Sequence, residues 1–165
     1  MAGPRPLRER PVDLLLIVFF TISVLYGFLF SLPQGLGVPV SADSPWPPLR
    51  ALHDWAVRIE PAHLDPPASL IASALLDGFV HAPFGLVLIY ALARARSWIR
   101  IPALVYVGSA LTNMLGYFYV TFLGPQPPLD LAVYVPMNLP WLLVPLLLAW
   151  RMRRPEPFED GVRVA

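Results

Sequence analysis

The stretch Ala68–Ala93, ASLIASALLDGFVHAPFGLVLIYALA, puts a carboxylate, an imidazole and a proline inside an apolar run long enough to cross a bilayer. At about 1.5 Å of rise per residue, Asp77 lies about 15 Å in from the Pro66–Pro67 boundary, near the middle of a hydrocarbon layer about 30 Å thick. His81 follows at i+4 on the same face, and Pro83 withholds the N–H that the carbonyl of Phe79 would otherwise accept. Hydrocarbon satisfies neither a charge nor a freed carbonyl, so the rest of the chain must build a bundle around this pair. Ionisable groups at such depth face a bundle interior or a cavity, and read first as a functional site.

The composition agrees with that demand. Of 165 residues, 56% are hydrophobic and 14% charged, with a mean hydropathy of +0.59, which fits an integral membrane protein of one small bundle. Cysteine is absent, excluding disulfides, thiolate metal sites and a cysteine nucleophile. All twelve basic residues are arginine, a bias that suits a GC-rich bacterial genome. The net charge of +1, with arginines gathered at helix ends, argues against a nucleic-acid partner.

Three further runs are long enough to span. The first is Leu14 to Leu32; it is long for a signal-peptide core and ends in Pro33-Gln34-Gly35 without a small-x-small cleavage site. The third covers Pro102 to Leu123 and places Asn113 about 16 Å along it. Small residues and the aromatics Tyr106, Tyr117, Phe118 and Tyr119 give this helix close-packing and cavity-lining surfaces. The fourth, Leu129 to Trp150, holds Pro136, Pro140 and Pro145, which predict an interrupted helix with freed carbonyls at Ala132, Pro136 and Trp141. Asn138 and Trp141 share a face in its middle.

Between the first two spans, Leu49, Leu52, Trp55 and Ile59 recur at helical spacing behind Pro47-Pro48, predicting an amphipathic helix at the interface over the bundle mouth. Trp46 and Trp55 suit the headgroup level. Glu60 and Asp65 read first as solvated loop carboxylates, and second as residues of a site entrance. The tails, 1–12 and 153–165, read as loose segments flanking a membrane domain over 13–152.

Arginines orient the bundle. Three lie at the membrane edge in each of the N-terminal segment, the second loop and the segment after the fourth span; the third loop has none. The expectation is an all-α, four-transmembrane-helix bundle with N- and C-termini cytoplasmic. That topology brings Asp77, Asn113 and Asn138 to similar depth. His53, His63 and His81 have no ligand spacing, so no metal is expected, and neither a Gly-rich phosphate loop nor a Ser-His-Asp signature is present. No cofactor is expected.

Several segments carry a family resemblance: DPPASL at Asp65 to Leu70, the acidic residue of the second span, SWIRIP at Ser97 to Pro102, and VPMNLPWLLVP at Val135 to Pro145. In this order and spacing the chain resembles the EXPERA family, which groups the sigma-2 receptor and the emopamil-binding protein, a sterol isomerase. The resemblance covers Leu14 to about Met152. It implies four helices around a largely apolar cavity that opens toward lipid and takes sterols or cationic amphiphiles. It places Asp77 at the family's intramembrane acidic position and Asn138 and Trp141 on the isomerase's fourth-helix pair. Glu60 falls on an acidic residue preceding the second helix of the sigma-2 receptor. A homodimer is the oligomer the resemblance suggests. The first helix carries neither the His/Glu pair of the isomerase nor the aspartate of the sigma-2 receptor, and Ser31 stands near the latter's position.

The expected function is a membrane-embedded binding protein for a sterol-like, isoprenoid-like or cationic amphiphilic lipid, held by Asp77, His81, Asn113, Asn138, Trp141, Tyr106, Tyr117 and Glu60. The alternative is a double-bond isomerase in which Asp77 and His81 supply the acid and base and Trp141 shelters a carbocation. A third reading makes the polar residues the structural glue of a kinked bundle. Composition points to a bacterial cytoplasmic membrane, the eukaryotic family members to the endoplasmic reticulum.

Overall fold

A computed structural model describes residues 5–158. Four helices are long and apolar enough to cross a membrane: α1 (Pro11–Gly35), α3 (Ala68–Ala93), α4 (Ser97–Leu123) and α5 (Leu131–Arg151). A shorter helix, α2 (Pro47–Arg58), lies in the first connection. The chain is an all-helical, multi-pass integral membrane protein. Large apolar side chains such as Val105, Leu115 and Leu123 are more than half exposed, as a lipid-facing surface requires.

α1 packs along α3, and α4 along α5. The densest part of the core lies toward the end that carries both termini, where Leu16, Phe20, Leu88, Leu92 and Leu148 are fully buried. Toward the other end the helices part around a cavity, with α2 beside it. The expected stripe of α2 is present with two changes: Ala56 rather than Trp55 is buried beside Leu49 and Leu52, and Ile59 falls beyond the last turn.

Both α1 and α3 contain a π-helical turn, Gly27–Ser31 and Asp77–His81. Each stands directly before a proline-bearing turn. Pro33 and Pro83 cannot donate, and widening the preceding turn lets the Leu32 and Ala82 N–H groups reach back five residues to the Gly27 and Asp77 carbonyls. The carbonyl of Leu29, which Pro33 leaves without a helical donor, accepts the Trp46 indole N–H at 2.7 Å. Trp46 therefore has a specific bond in addition to its place near the interface. Trp46→Phe removes one hydrogen bond from a backbone group that has no helical substitute, and should lower stability by about 1 kcal/mol in a detergent melting assay.

The two wide turns face each other through glycine. A Cβ on Gly78 would sit 2.6 Å from Leu32 Cβ and 2.9 Å from its Cα, and one on Gly27 would sit 2.6 Å from Ala82 Cβ. Because backbone stands behind the clash, Gly78→Ala should force α1 and α3 apart and cost about 1–3 kcal/mol. Gly116→Ala, where nothing lies within 4 Å, should shift the melting curve negligibly. Comparing the two by thermal unfolding tests whether this seam sets the bundle.

Several sequence expectations need correction. α5 is one uninterrupted helix despite Pro136, Pro140 and Pro145, capped by Asp130, whose carboxylate accepts from Ala132 N at 2.9 Å and Val133 N at 3.2 Å. The described parts of both tails are ordered against the bundle. Arg10 donates to the Leu92 and Ala93 carbonyls at 2.9 and 3.2 Å, meeting two of the four orphan acceptors that end α3. Asp13, fully buried, accepts from Arg10 at 2.7 Å and from Arg151 at 2.6 and 3.0 Å. Arg151 also donates to the Pro157 carbonyl, and the Phe158 ring lies 4.7 and 5.6 Å from the Arg151 and Arg10 guanidinium carbons. The remaining tail residues, 1–4 and 159–165, lie outside the described residues.

Candidate functional site

Asp77 opens the π turn of α3 and His81 closes it, so their i, i+4 spacing survives while the wider turn swings both toward α4. His81 Nδ1 lies 2.8 Å from Asp77 Oδ1, and Asn113 Nδ2 donates to the same oxygen at 3.0 Å. The other imidazole nitrogen, Nε2, is 2.9 Å from Ser109 Oγ. His81 is buried, whereas the Asp77 side chain keeps 35% of its surface open. Asp77 Oδ2 makes no hydrogen bond among the described residues, so half of the carboxylate remains available to a ligand.

The group lines a cavity of about 110 Å³ between α1, α3, α4 and α5. Such a space holds several waters or one ring of a larger molecule. Its walls are aromatic on one side: Trp141 lies 4.9 Å from the Phe19 ring and 5.6 Å from Tyr26. Tyr106 stands edge-on to His81 at 5.3 Å and stacks on Phe84 at 5.4 Å. Phe19 and Tyr26 join Trp141 across the α1–α5 side.

A second polar group sits where the first connection meets the cavity. Glu60 is 2% exposed, against the expectation of a solvated carboxylate. One of its oxygens accepts the Tyr117 hydroxyl, and the other accepts the Trp55 indole N–H at 3.3 Å and lies 3.6 Å from His63 Nε2. His63 Nδ1 is in turn 3.1 Å from Gln34 Oε1. Tyr117 follows Asn113 by one helical turn, so α4 carries one partner for each carboxylate.

Asp77, His81, Asn113, Tyr106, Tyr117, Asn138 and Trp141 all border the cavity. Asn138 does so with its amide directed at its own helix, donating to the Tyr134 carbonyl at 3.0 Å. Glu60 reaches the cavity only through Tyr117 and His63. Asp65 is exposed and takes no part. Sequence reasoning passed over Gln34, two residues past the apolar run Leu14 to Leu32 but inside α1, and His63, which lies outside the spans, and Ser109, treated as a packing residue. The spacing 77, 81, 109 matches no serine-hydrolase pattern, yet it sets Asp, His and Ser in line. Among the described residues no three His, Asp or Glu side chains converge as metal ligands.

The comparisons with known proteins agree with this architecture. The profile of the EXPERA family (EXPanded EBP superfamily) matches residues 49–152, from α2 through the last turn of α5. Comparison with curated proteins gives no significant match. The chain belongs to the EXPERA family.

Proposed function

We propose that this EXPERA-family chain binds a sterol-like, isoprenoid-like or cationic amphiphilic lipid in the cavity around Asp77. The observation that carries the reading is the divided carboxylate: Oδ1 is held by His81 and Asn113, while Oδ2 has no hydrogen-bond partner among the described residues, in a side chain that borders an aromatic-walled cavity. A carboxylate fixed by two neighbours loses little freedom when it meets a cation. At the depth of a membrane interior such an attraction is stronger than at a water-exposed surface. Trp141, its ring tilted against Phe19 and Tyr26, borders the same cavity, where a ring face toward a bound cation would be worth about 2 kcal/mol or more in a desolvated site. The exposed Arg94 and Arg96 between α3 and α4, with Arg153 and Arg154 after α5, favour a cytoplasmic placement of both termini. Composition favours a bacterial cytoplasmic membrane.

A second reading, isomerisation of an alkene in a sterol or isoprenoid, is favoured by His81. Buried between Asp77 and Ser109, it is placed to receive a proton on one side as it gives one up on the other. The test of the primary reading is native mass spectrometry with lipid extraction on wild type and Asp77→Asn. A sterol or isoprenoid retained by wild type and lost by the variant supports the cavity and supplies the compound to assay for isomerisation. Bulk phospholipid alone on both proteins removes the ligand-site reading.

A further inference from the structure

A second opening lies on the lipid side of α3 and α4, a groove of about 400 Å³ bordered by Ser69, Ser73, Ser109 and Thr112. Gly108 and Gly116 line it, and a Cβ on either would meet nothing within 4 Å. Ser109 faces this groove, and His81 at its back faces the cavity. Two other hydroxyls of the spans, Thr21 and Thr121, bond the carbonyl four residues back at 2.8 Å. The Ser109 hydroxyl instead reaches across to His81 Nε2 at 2.9 Å. His81 Nδ1 is 2.8 Å from Asp77, which Asn113 holds from α4.

We propose that Ser109 is a base-activated nucleophile that accepts the acyl group of a neutral lipid ester lying in this groove. Asn113 donates to Asp77, and the carboxylate accepts the His81 Nδ1–H. That tautomer leaves the Nε2 lone pair facing the Ser109 O–H. Ser109 Oγ attacks the ester carbonyl while its proton passes to Nε2. Collapse of the tetrahedral intermediate breaks the carbonyl-to-alkoxy bond, and Nε2–H protonates the departing alcohol. Water then attacks the acyl-serine, gives a proton to Nε2 and releases the acid, and the proton returns to Ser109. The balance is ester plus water to acid plus alcohol.

The N–H groups of α4 are engaged in its own ladder, so donors to the developing oxyanion must be side chains. The hydroxyls of Thr112, three residues on, and of Ser73 border the same groove. The polar cavity behind His81 has room for the water.

Depth selects the substrate. Ser109 lies about 14 Å along the helix from Arg100, well inside the hydrocarbon. A phospholipid's esters are held at headgroup level by its charge. An ester that can reach Ser109 is therefore uncharged, with a sterol, isoprenoid or long-chain alcohol as its leaving group.

The test is a long-chain alkyl fluorophosphonate, incubated with the full-length protein in phospholipid nanodiscs and followed by peptide mass mapping. The expected result is an adduct on Ser109, absent in Ser109→Ala and retained at wild-type rate in Ser97→Ala, a serine outside the groove. In His81→Gln, labelling at Ser109 should slow about 100-fold. An unlabelled Ser109 in folded wild type, beside a control serine hydrolase that labels in the same nanodiscs, overturns the proposal. So does labelling at Ser109 that is indifferent to His81→Gln. Ligand loss in Asp77→Asn concerns the cavity, whereas Ser109→Ala leaves the cavity's free carboxylate oxygen in place, so the two readings fail separately.

Discussion

Asp77→Asn is expected to weaken binding of a cationic amphiphile about 100-fold in a fluorescence titration, with little change in the melting temperature of the ligand-free protein. The affinity loss follows from removing one member of a desolvated charge pair, which costs about 2–5 kcal/mol and leaves the ammonium facing an apolar wall. The small effect on stability follows from geometry. An amide oxygen at the position of Oδ1 still accepts from Asn113 and from His81 Nδ1–H, so the helix contacts at 3.0 and 2.8 Å persist. A neutral sterol should lose much less than the amphiphile, because it never used the charge. If both ligands bind the variant as they bind wild type, Asp77 is structural.

Asp13→Ala should have the largest effect on stability, about 3–5 kcal/mol, read as a lowered melting temperature and a shifted elution profile in detergent. The carboxylate is fully buried, and the Arg10 and Arg151 side chains are 9% and 17% exposed. Removing it leaves two guanidinium groups facing each other without a counter-charge. The damage should spread from α1 to α5 and the C-terminal turn, because Arg151 also holds the Pro157 carbonyl and underlies Phe158. The double change Asp13→Leu with Arg151→Met removes charges of both signs and should recover part of the loss. Failure to recover would mean that the hydrogen bonds matter more than the charge balance.

The architecture was legible because hydrocarbon leaves few solutions. Four apolar runs, the depth of Asp77 and its i+4 histidine follow from rise per residue alone, and the chain's place among EXPERA proteins was carried by short ordered motifs. Asn113 at the depth of Asp77 was legible for the same reason. What the sequence hid depends on rotation about each helix axis. Asn138 and Asn113 share a depth, but one amide turns back to Tyr134 and the other across to Asp77. The three prolines of α5 suggested breaks; two of them are exposed and the helix runs through all three. Glu60 resembled a solvated carboxylate because its partners, Trp55, His63 and Tyr117, come from α2, the stretch after it and α4. Its burial is a property of the whole connection. The ordering of Arg10 and Phe158 likewise needed three chain segments to meet.

The π turn at Asp77–His81 bears on how tolerant α3 can be to change in length. A π turn accommodates one residue more than the α-helical ladder requires. Removing a single residue such as Val80 would let the turn close to ordinary pitch, and the helix on either side would keep nearly its present azimuth because the wide turn is what absorbs the extra residue. Asp77 and His81 would then stand three residues apart instead of four, which disturbs their 2.8 Å contact and their reach to Asn113 and Ser109, while every apolar residue stayed apolar and the span stayed long enough to cross. The geometry of the polar pair is thus stored in one extra residue of backbone. A substitution at Val80 that keeps the residue count changes only a lipid-facing side chain, whereas a deletion there dismantles the polar pair.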